Sequence, residues 1–118
     1  MDYTKLKKIG DDFFTDTYKP NYEKVVQNVQ NLTCENPQKN EDKILQYLKS
    51  APLAEMVILS YPYDFFTKEL LDLKLTNYYS DGVWLWPGLL YYYVEKYHYK
   101  VDDEFVEHMK KNNWKIQK

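Results

Sequence analysis

Tyr78 to Tyr99 reads YYSDGVWLWPGLLYYYVEKYHY and holds two of the chain's three tryptophans and seven of its thirteen tyrosines. Asp81-Gly82 divides it. Asp-Gly between two half-buried runs signals a hairpin, because a type I′ turn needs positive φ at both central residues. Upstream, Leu71, Leu73, Leu75, Asn77 and Tyr79 alternate with Asp72, Lys74, Thr76 and Tyr78, the period of a strand with one buried face. Downstream, Val83-Trp84-Leu85-Trp86 is the return strand. A two-residue turn sets Ser80 opposite Val83, Tyr79 opposite Trp84, Tyr78 opposite Leu85 and Asn77 opposite Trp86. Leu71, Leu73 and Leu75 then share the core side with Tyr79, Trp84 and Trp86.

Pro87 ends the strand and is suited to start a helix, since its missing N–H needs no partner in a first turn. Leu89, Leu90, Tyr93, Val94 and Tyr97 form one stripe, which predicts a helix over 87–98. A last helix follows Tyr99-Lys100-Val101. Asp102 is its N-cap, with Val101 and Val106 placed as a hydrophobic staple. Phe105, Val106 and Met109 form its buried side, and Lys110 and Lys111 suit its negative C-terminal end. Trp114 and Ile116 then alternate, as a short strand or a clamp on the core.

Toward the N-terminus, Pro20 opens a helix over 20–32 with Tyr22, Val25, Val26, Val29 and Leu32 at helical spacing. A second helix starts at Asn40 as N-cap, with Glu41 and Asp42 in the first turn, Ile44, Leu45 and Leu48 inside, and Ser50-Ala51-Pro52 at its end. LAEMVILSYPYDFF, residues 53–66, fits a short helix or a strand, and Pro62 interrupts either. The sum is a small α+β fold in a single domain, residues 1–118. It has two N-terminal helices, a hairpin-centred antiparallel sheet and two C-terminal helices, with residues 1–19 as a loosely ordered lead-in.

Composition narrows the function classes. A chain of 118 residues can bury roughly 60–70% of its unfolded surface and needs no metal or disulfide to hold a core. Hydrophobic residues at 44% and charged residues at 29% describe a globular chain rather than a disordered one. No apolar run approaches bilayer length, and the N-terminus lacks a secretory signal, so the expected location is the cytoplasm. A lone Cys34 agrees with a reducing compartment. All sixteen basic residues are lysine and the net charge is −2. Without arginine forks or a basic stripe, nucleic acid is not the expected partner. Abundant lysine, asparagine and tyrosine point to an A+T-rich gene of bacterial origin.

No catalytic, metal or cofactor constellation is expected. His98 and His108 have no HxxxH or HExxH spacing, and the neighbouring Asp102, Asp103 and Glu104 already serve as cap and surface residues. Ser50, Ser60 and Ser80 lie at turns outside any nucleophile elbow. Gly10, Gly82 and Gly88 are too scattered to cradle a phosphate. The aromatic concentration has three readings: a core, a stacking platform for a small carbohydrate or nucleotide ligand, or a protein-binding face. Tyr91-Tyr92-Tyr93 bears on the choice, because consecutive helical positions fan over ~200°. With Tyr93 inward, Tyr91 and Tyr92 turn toward the rim. The candidate partner- or ligand-binding residues are therefore Trp84, Trp86, Tyr91, Tyr92, Asp81 and Asn77.

The run SDGVWLWPGLLYYYVEKYHYKVDDEFVEHM resembles the C-terminal signature of a set of small uncharacterised bacterial proteins. The shared elements are Ser80-Asp81-Gly82, Trp84, Trp86-Pro87, Tyr92 to Tyr97, and Asp103-Glu104-Phe105 with His108. The set usually carries leucine-proline where this chain has Val101-Asp102. Proteins of this size and composition are similar to immunity proteins that neutralise bacterial toxins. That analogy implies a non-enzymatic interaction protein with a protein partner.

Overall fold

A computed structural model describes residues 6–9, 22–55 and 62–116. The elements run β1 (Lys7–Lys8), α1 (Tyr22–Asn31), α2 (Glu41–Ser50), β2 (Leu53–Glu55), a 3-10 turn (Leu73–Thr76), β3 (Tyr78–Ser80), β4 (Trp84–Pro87), α3 (Gly88–Tyr97) and α4 (Asp103–Lys111). The sheet has the order β1-β4-β3-β2. β2, β3 and β4 are antiparallel, and β1 lies parallel to β4 with Lys7 opposite Trp84. The protein is thus a small α+β domain, with helices before the hairpin and two more after it.

Phe105 of α4 joins sheet to helices. Its ring stacks on Trp84 at 4.9 Å and lies 5.2 Å from Trp86 and 6.2 Å from Tyr47 of α2. Tyr47 and Phe105 are fully buried and Trp86 is 1% exposed. Edge-on and offset rings add attraction beyond the area they remove from water. α2 turns Ile44, Tyr47 and Leu48 inward, α3 turns Leu89, Leu90, Tyr93 and Val94 inward, and α1 contributes Val29. The i, i+3, i+4 spacing expected of amphipathic helices recurs in each.

The hairpin departs from its sequence reading. Tyr79 lies opposite Trp86 and Ser80 opposite Leu85, a register shifted by two residues from a two-residue turn. The cause is Asp81. Its Oδ1 accepts the N–H groups of Val83 (2.9 Å) and Trp84 (2.7 Å). Ser80 Oγ accepts from Gly82 N–H and donates to the Trp84 carbonyl. Side chains therefore close a longer loop, an Asx-type turn. Within this loop only Gly82 has positive φ, at 94°. A shift of two preserves the alternation of faces, so Trp84 and Trp86 still point at the core.

The expected strand over 71–79 is also shorter, since only Tyr78–Ser80 pairs as β3. Asp72 accepts from the Lys74 N–H at 2.9 Å and caps a 3-10 turn where the alternation predicted extended chain. That turn packs on the start of α3. A Cβ on Gly88 would lie 3.1 Å from Leu75 Cα, and Gly88 N–H donates to the Asn77 carbonyl at 3.0 Å.

Asn40 precedes α2, but in the left-handed region at φ 62° and with no side-chain cap. Asp102 does cap α4, accepting from Glu104 N–H at 2.8 Å. Of the 1–19 lead-in, Lys7–Lys8 forms the parallel edge strand, with Lys7 N–H and Ile9 N–H bonded to the Val83 and Leu85 carbonyls. Residues 10–19, Pro20 and Ser60 lie outside the described residues. Within 53–66, Leu53–Glu55 forms β2 and Tyr63 bridges Leu70, while residues 56–61 lie outside the described residues. Trp114 clamps rather than forming a strand: α4 unwinds through Asn113 and Trp114 at φ 55° and 61°, and the Trp114 N–H donates back to the Met109 carbonyl at 2.8 Å.

One joint is made by a side chain acting as a strand. Gln38, in the α1–α2 loop, donates from Nε2 to the Tyr99 carbonyl at 2.7 Å and accepts from Val101 N–H at 3.1 Å. Next to it, Cys34 N–H donates to the Tyr97 carbonyl and Lys100 N–H to the Leu32 carbonyl. The N-terminal helix pair is thereby tied to the α3–α4 link.

Candidate functional site

The three consecutive tyrosines of α3 fan as helical geometry requires. Tyr93 is 1% exposed, while Tyr91 and Tyr92 are part-buried. Tyr97, one turn after Tyr93, stacks on it at 5.7 Å. Tyr92 and Tyr97 hold the segment 62–71 through Asp64, which is fully buried, and Tyr93 Oη accepts the Phe65 N–H at 3.1 Å.

Asp64 Oδ2 accepts the hydroxyls of Tyr97 (2.6 Å) and Tyr92 (2.7 Å), and Oδ1 accepts the N–H groups of Phe66 (2.7 Å) and Thr67 (3.0 Å). Lys96 Nζ lies 3.7 Å from Oδ2 and donates to Tyr92 Oη at 3.1 Å. Burial alone would raise this carboxyl. The bonds from Tyr97, Thr67, Tyr92 and Phe66 outweigh it and hold Asp64 below its ordinary value of 3.8. The phenols respond in the opposite sense. Burial, then the bond to Asp64, pushes Tyr97 and Tyr92 above the ordinary 10.0. Tyr93 rises through burial, and Lys96 rises through its bond to Tyr92.

A second buried carboxylate, Asp81, is 1% exposed in its side chain. Beyond its turn bonds, Oδ2 accepts the Tyr47 hydroxyl and lies 2.9 Å from His108 Nε2. Burial and then Asp81 raise Tyr47. A third, Glu41, lies 2.8 Å from Nδ1 of His98, the left-handed C-cap of α3. Both histidines thus pair with carboxylates distant in sequence rather than with Asp102, Asp103 or Glu104.

These clusters join elements, and their polar atoms face one another. Ser50 Oγ donates to the Tyr47 carbonyl and Ser80 Oγ to the Trp84 carbonyl, so neither hydroxyl addresses a base. Raised phenols and a raised ammonium stay protonated near neutrality, and a carboxylate held by four donors is a poor nucleophile. Among the described residues no group of three or more His, Cys, Asp and Glu is placed to hold a metal, and no helix is long and apolar enough to cross a membrane.

The six residues selected from sequence go to different partners. Trp84 (6% exposed) and Trp86 (1%) lie in the core and present no ring face for stacking a ligand. Asp81 closes the hairpin, and Asn77 ends the 3-10 turn through its N–H to the Lys74 carbonyl. Tyr92 holds Asp64. Tyr91 donates to Glu95 Oε2 at 3.0 Å and lines an open cleft of about 500 Å³ with Leu45, Gln46, Lys49 and Ser50.

Tyr63 and Leu70, by contrast, are 57% and 58% exposed and face each other across an antiparallel bridge. Sequence reading passed over both, and over Asp64. The available signal was local: an Asp three residues before Thr67, just after Pro62, is the pattern of an Asx turn.

The fold and these clusters define a small α+β domain whose buried polar groups are committed to architecture and whose exposed apolar pair sits on a fixed loop. Comparison with known protein families, characterised proteins and solved structures finds no match.

Proposed function

We propose that this domain is a non-enzymatic protein-interaction module of the bacterial cytoplasm, and that its particular form is an immunity-type inhibitor that occupies a toxin. The observation that carries the reading is the Tyr63–Leu70 pair. Two large apolar side chains, each more than half exposed, sit on a loop immobilised by a buried carboxylate. Apolar anchors held rigidly before contact lose little freedom on binding, the condition under which a small surface contributes most. The resemblance of the C-terminal run to small bacterial proteins and the absence of arginine forks agree with a protein partner.

The test immobilises three forms of the chain: wild type, Leu70→Asp, and Leu53→Asp as a control at another exposed leucine. Lysate of the source organism is passed over each. A protein retained by wild type and Leu53→Asp but lost on Leu70→Asp supports the reading. Equal retention on all three, or none, overturns it.

A further inference from the structure

Residues 62–71 form a small two-stranded ribbon, and its hydrogen bonds fix where the backbone of Tyr63 and Leu70 points. Leu71 N–H donates to the Pro62 carbonyl at 2.8 Å, and Asp64 N–H donates to the Glu69 carbonyl at 3.0 Å. Tyr63 and Leu70 lie opposite each other between those two bonds. They are therefore the non-hydrogen-bonded pair of an antiparallel ladder, whose own N–H and C=O groups turn outward from the ribbon. Among the described residues neither backbone finds a hydrogen-bond partner.

The two edges of the ribbon differ. Phe65, two residues after Tyr63 and so on the same edge, donates its N–H to Tyr93 Oη at 3.1 Å. That edge runs into α3. On the other strand Leu70 is 58% exposed, and its neighbour Glu69 is exposed as well. A backbone N–H and C=O left unpaired beside an apolar side chain is the arrangement to which an extended segment adds as a further strand. The bonds of Tyr92 and Tyr97 to Asp64 hold the ribbon in this shape, so the edge is set before contact.

Charge selects what can add. The Glu69 carboxylate forms no ion pair among the described residues. In a strand laid along this edge, the side chains opposite Leu70 and Glu69 fall on opposite faces. One meets an apolar neighbour and the next a free carboxylate, and cross-strand pairs favour apolar with apolar and basic with acidic. We propose that the Leu70 edge takes an extended segment of a protein partner by strand addition, with an apolar residue opposite Leu70 and a lysine or arginine opposite Glu69. The proposal rests on the function given above and names the chemistry of the partner's contact.

The probe is the peptide acetyl-Thr-Lys-Ile-Lys-Thr-amide, titrated to millimolar concentration into the isotope-labelled full chain and followed by amide NMR. Two backbone bonds and one exposed charge pair are a small contact, hence the high concentration. The Leu70 amide proton should move downfield and exchange with solvent several-fold more slowly. The same peptide N-methylated at isoleucine should lose the effect, and its Glu-Ile-Glu counterpart should bind several-fold more weakly. Glu69→Lys should reverse that preference. No response at Leu70, an equal response to the basic and acidic peptides, or binding kept by the N-methylated peptide overturns the proposal. So does a Leu70 shift that appears on concentrating the protein alone, which gives the edge to a second copy.

Leu70→Pro separates strand addition from the function it serves. Proline removes an N–H that has no partner in the fold and keeps an apolar side chain. In the capture experiment above, a partner lost on both Leu70→Asp and Leu70→Pro, together with the peptide response, supports strand addition. A partner lost on Leu70→Asp but kept by Leu70→Pro is held through side chains and overturns strand addition alone. A peptide response with no partner retained by wild type overturns the function and leaves the chemistry of the edge standing.

Discussion

Asp64 Oδ2 and the Tyr97 hydroxyl meet at 2.6 Å across thirty-three positions of sequence, and through this bond a surface loop is fixed to the inner helix of the domain. Asp64→Asn leaves the loop's shape but replaces a charged acceptor of two phenols with a neutral amide. A loss of about 2–4 kcal/mol is expected, measured by urea unfolding. Tyr97→Phe should lose about 1–2 kcal/mol. The two losses should be clearly non-additive in a double-mutant cycle, and full additivity would show that the bond contributes nothing.

The phenol shifts set an alkaline limit. Tyr47, Tyr92, Tyr93 and Tyr97 all have folded values raised above 10.0. A raised value means the folded state holds the proton more tightly. The stabilisation is therefore fully present below pH 10 and is lost as pH rises through the folded values. Absorbance at 295 nm should show a tyrosine fraction that ionises later in the folded protein than in 8 M urea, an expectation sunk by superimposable curves.

The acid side runs the other way. Asp64 is depressed below 3.8, so its contribution is present above that pH and disappears as pH falls through the folded value. Unfolding midpoints of wild type and Asp64→Asn, followed from pH 5 to pH 2, should converge toward the acid end. A constant gap would remove the carboxylate from the explanation.

Trp84 and Trp86 are core side chains, so their fluorescence should resist iodide while part-buried Trp114 is quenched. Trp114→Phe should remove most of the quenchable emission. Trp86→Ala should destabilise by about 3–5 kcal/mol, the range for emptying a large buried aromatic site. Easy quenching in Trp114→Phe would reopen the stacking-platform reading of the other two.

Gln38 supplies both a donor and an acceptor to the α3–α4 link. Gln38→Glu keeps the size and the acceptor but turns the donor toward the Tyr99 carbonyl into a repelling oxygen. About 1–3 kcal/mol should be lost, with amide exchange at Val101 unchanged or only slightly faster. Gln38→Ala should accelerate exchange at Val101 strongly, which separates the two halves of the contact.

What the sequence made legible follows from range. The helices α2, α3 and α4 declared themselves because their stripes repeat within a few turns, and Asp102 could be read as a cap from its neighbours alone. The alternation of Leu71, Leu73 and Leu75 misled, because a local Asp72 cap and the close approach of Leu75 to Gly88 fold that stretch into a 3-10 turn. Asp81 was recognised as a turn residue, but not its carboxylate's reach to two amides, which lengthens the loop. The Asp64–Tyr97, Asp81–His108 and Gln38–Tyr99 contacts were invisible, since each joins residues at least twenty-seven positions apart. The rings of Trp84 and Trp86 pointed to a core and to a platform alike until Phe105 was placed against them.

The segment 62–71 closes on itself through Asp64 N–H to the Glu69 carbonyl and Leu71 N–H to the Pro62 carbonyl, which bears on how the chain can change over time. Its outward positions, Tyr63, Thr67, Glu69 and Leu70, can be rewritten without disturbing the sheet, provided Asp64, Phe65 and Phe66 keep their hold on α3. The domain therefore carries a replaceable cassette, in which new surface chemistry can be tried while the fold that displays it stays as it is.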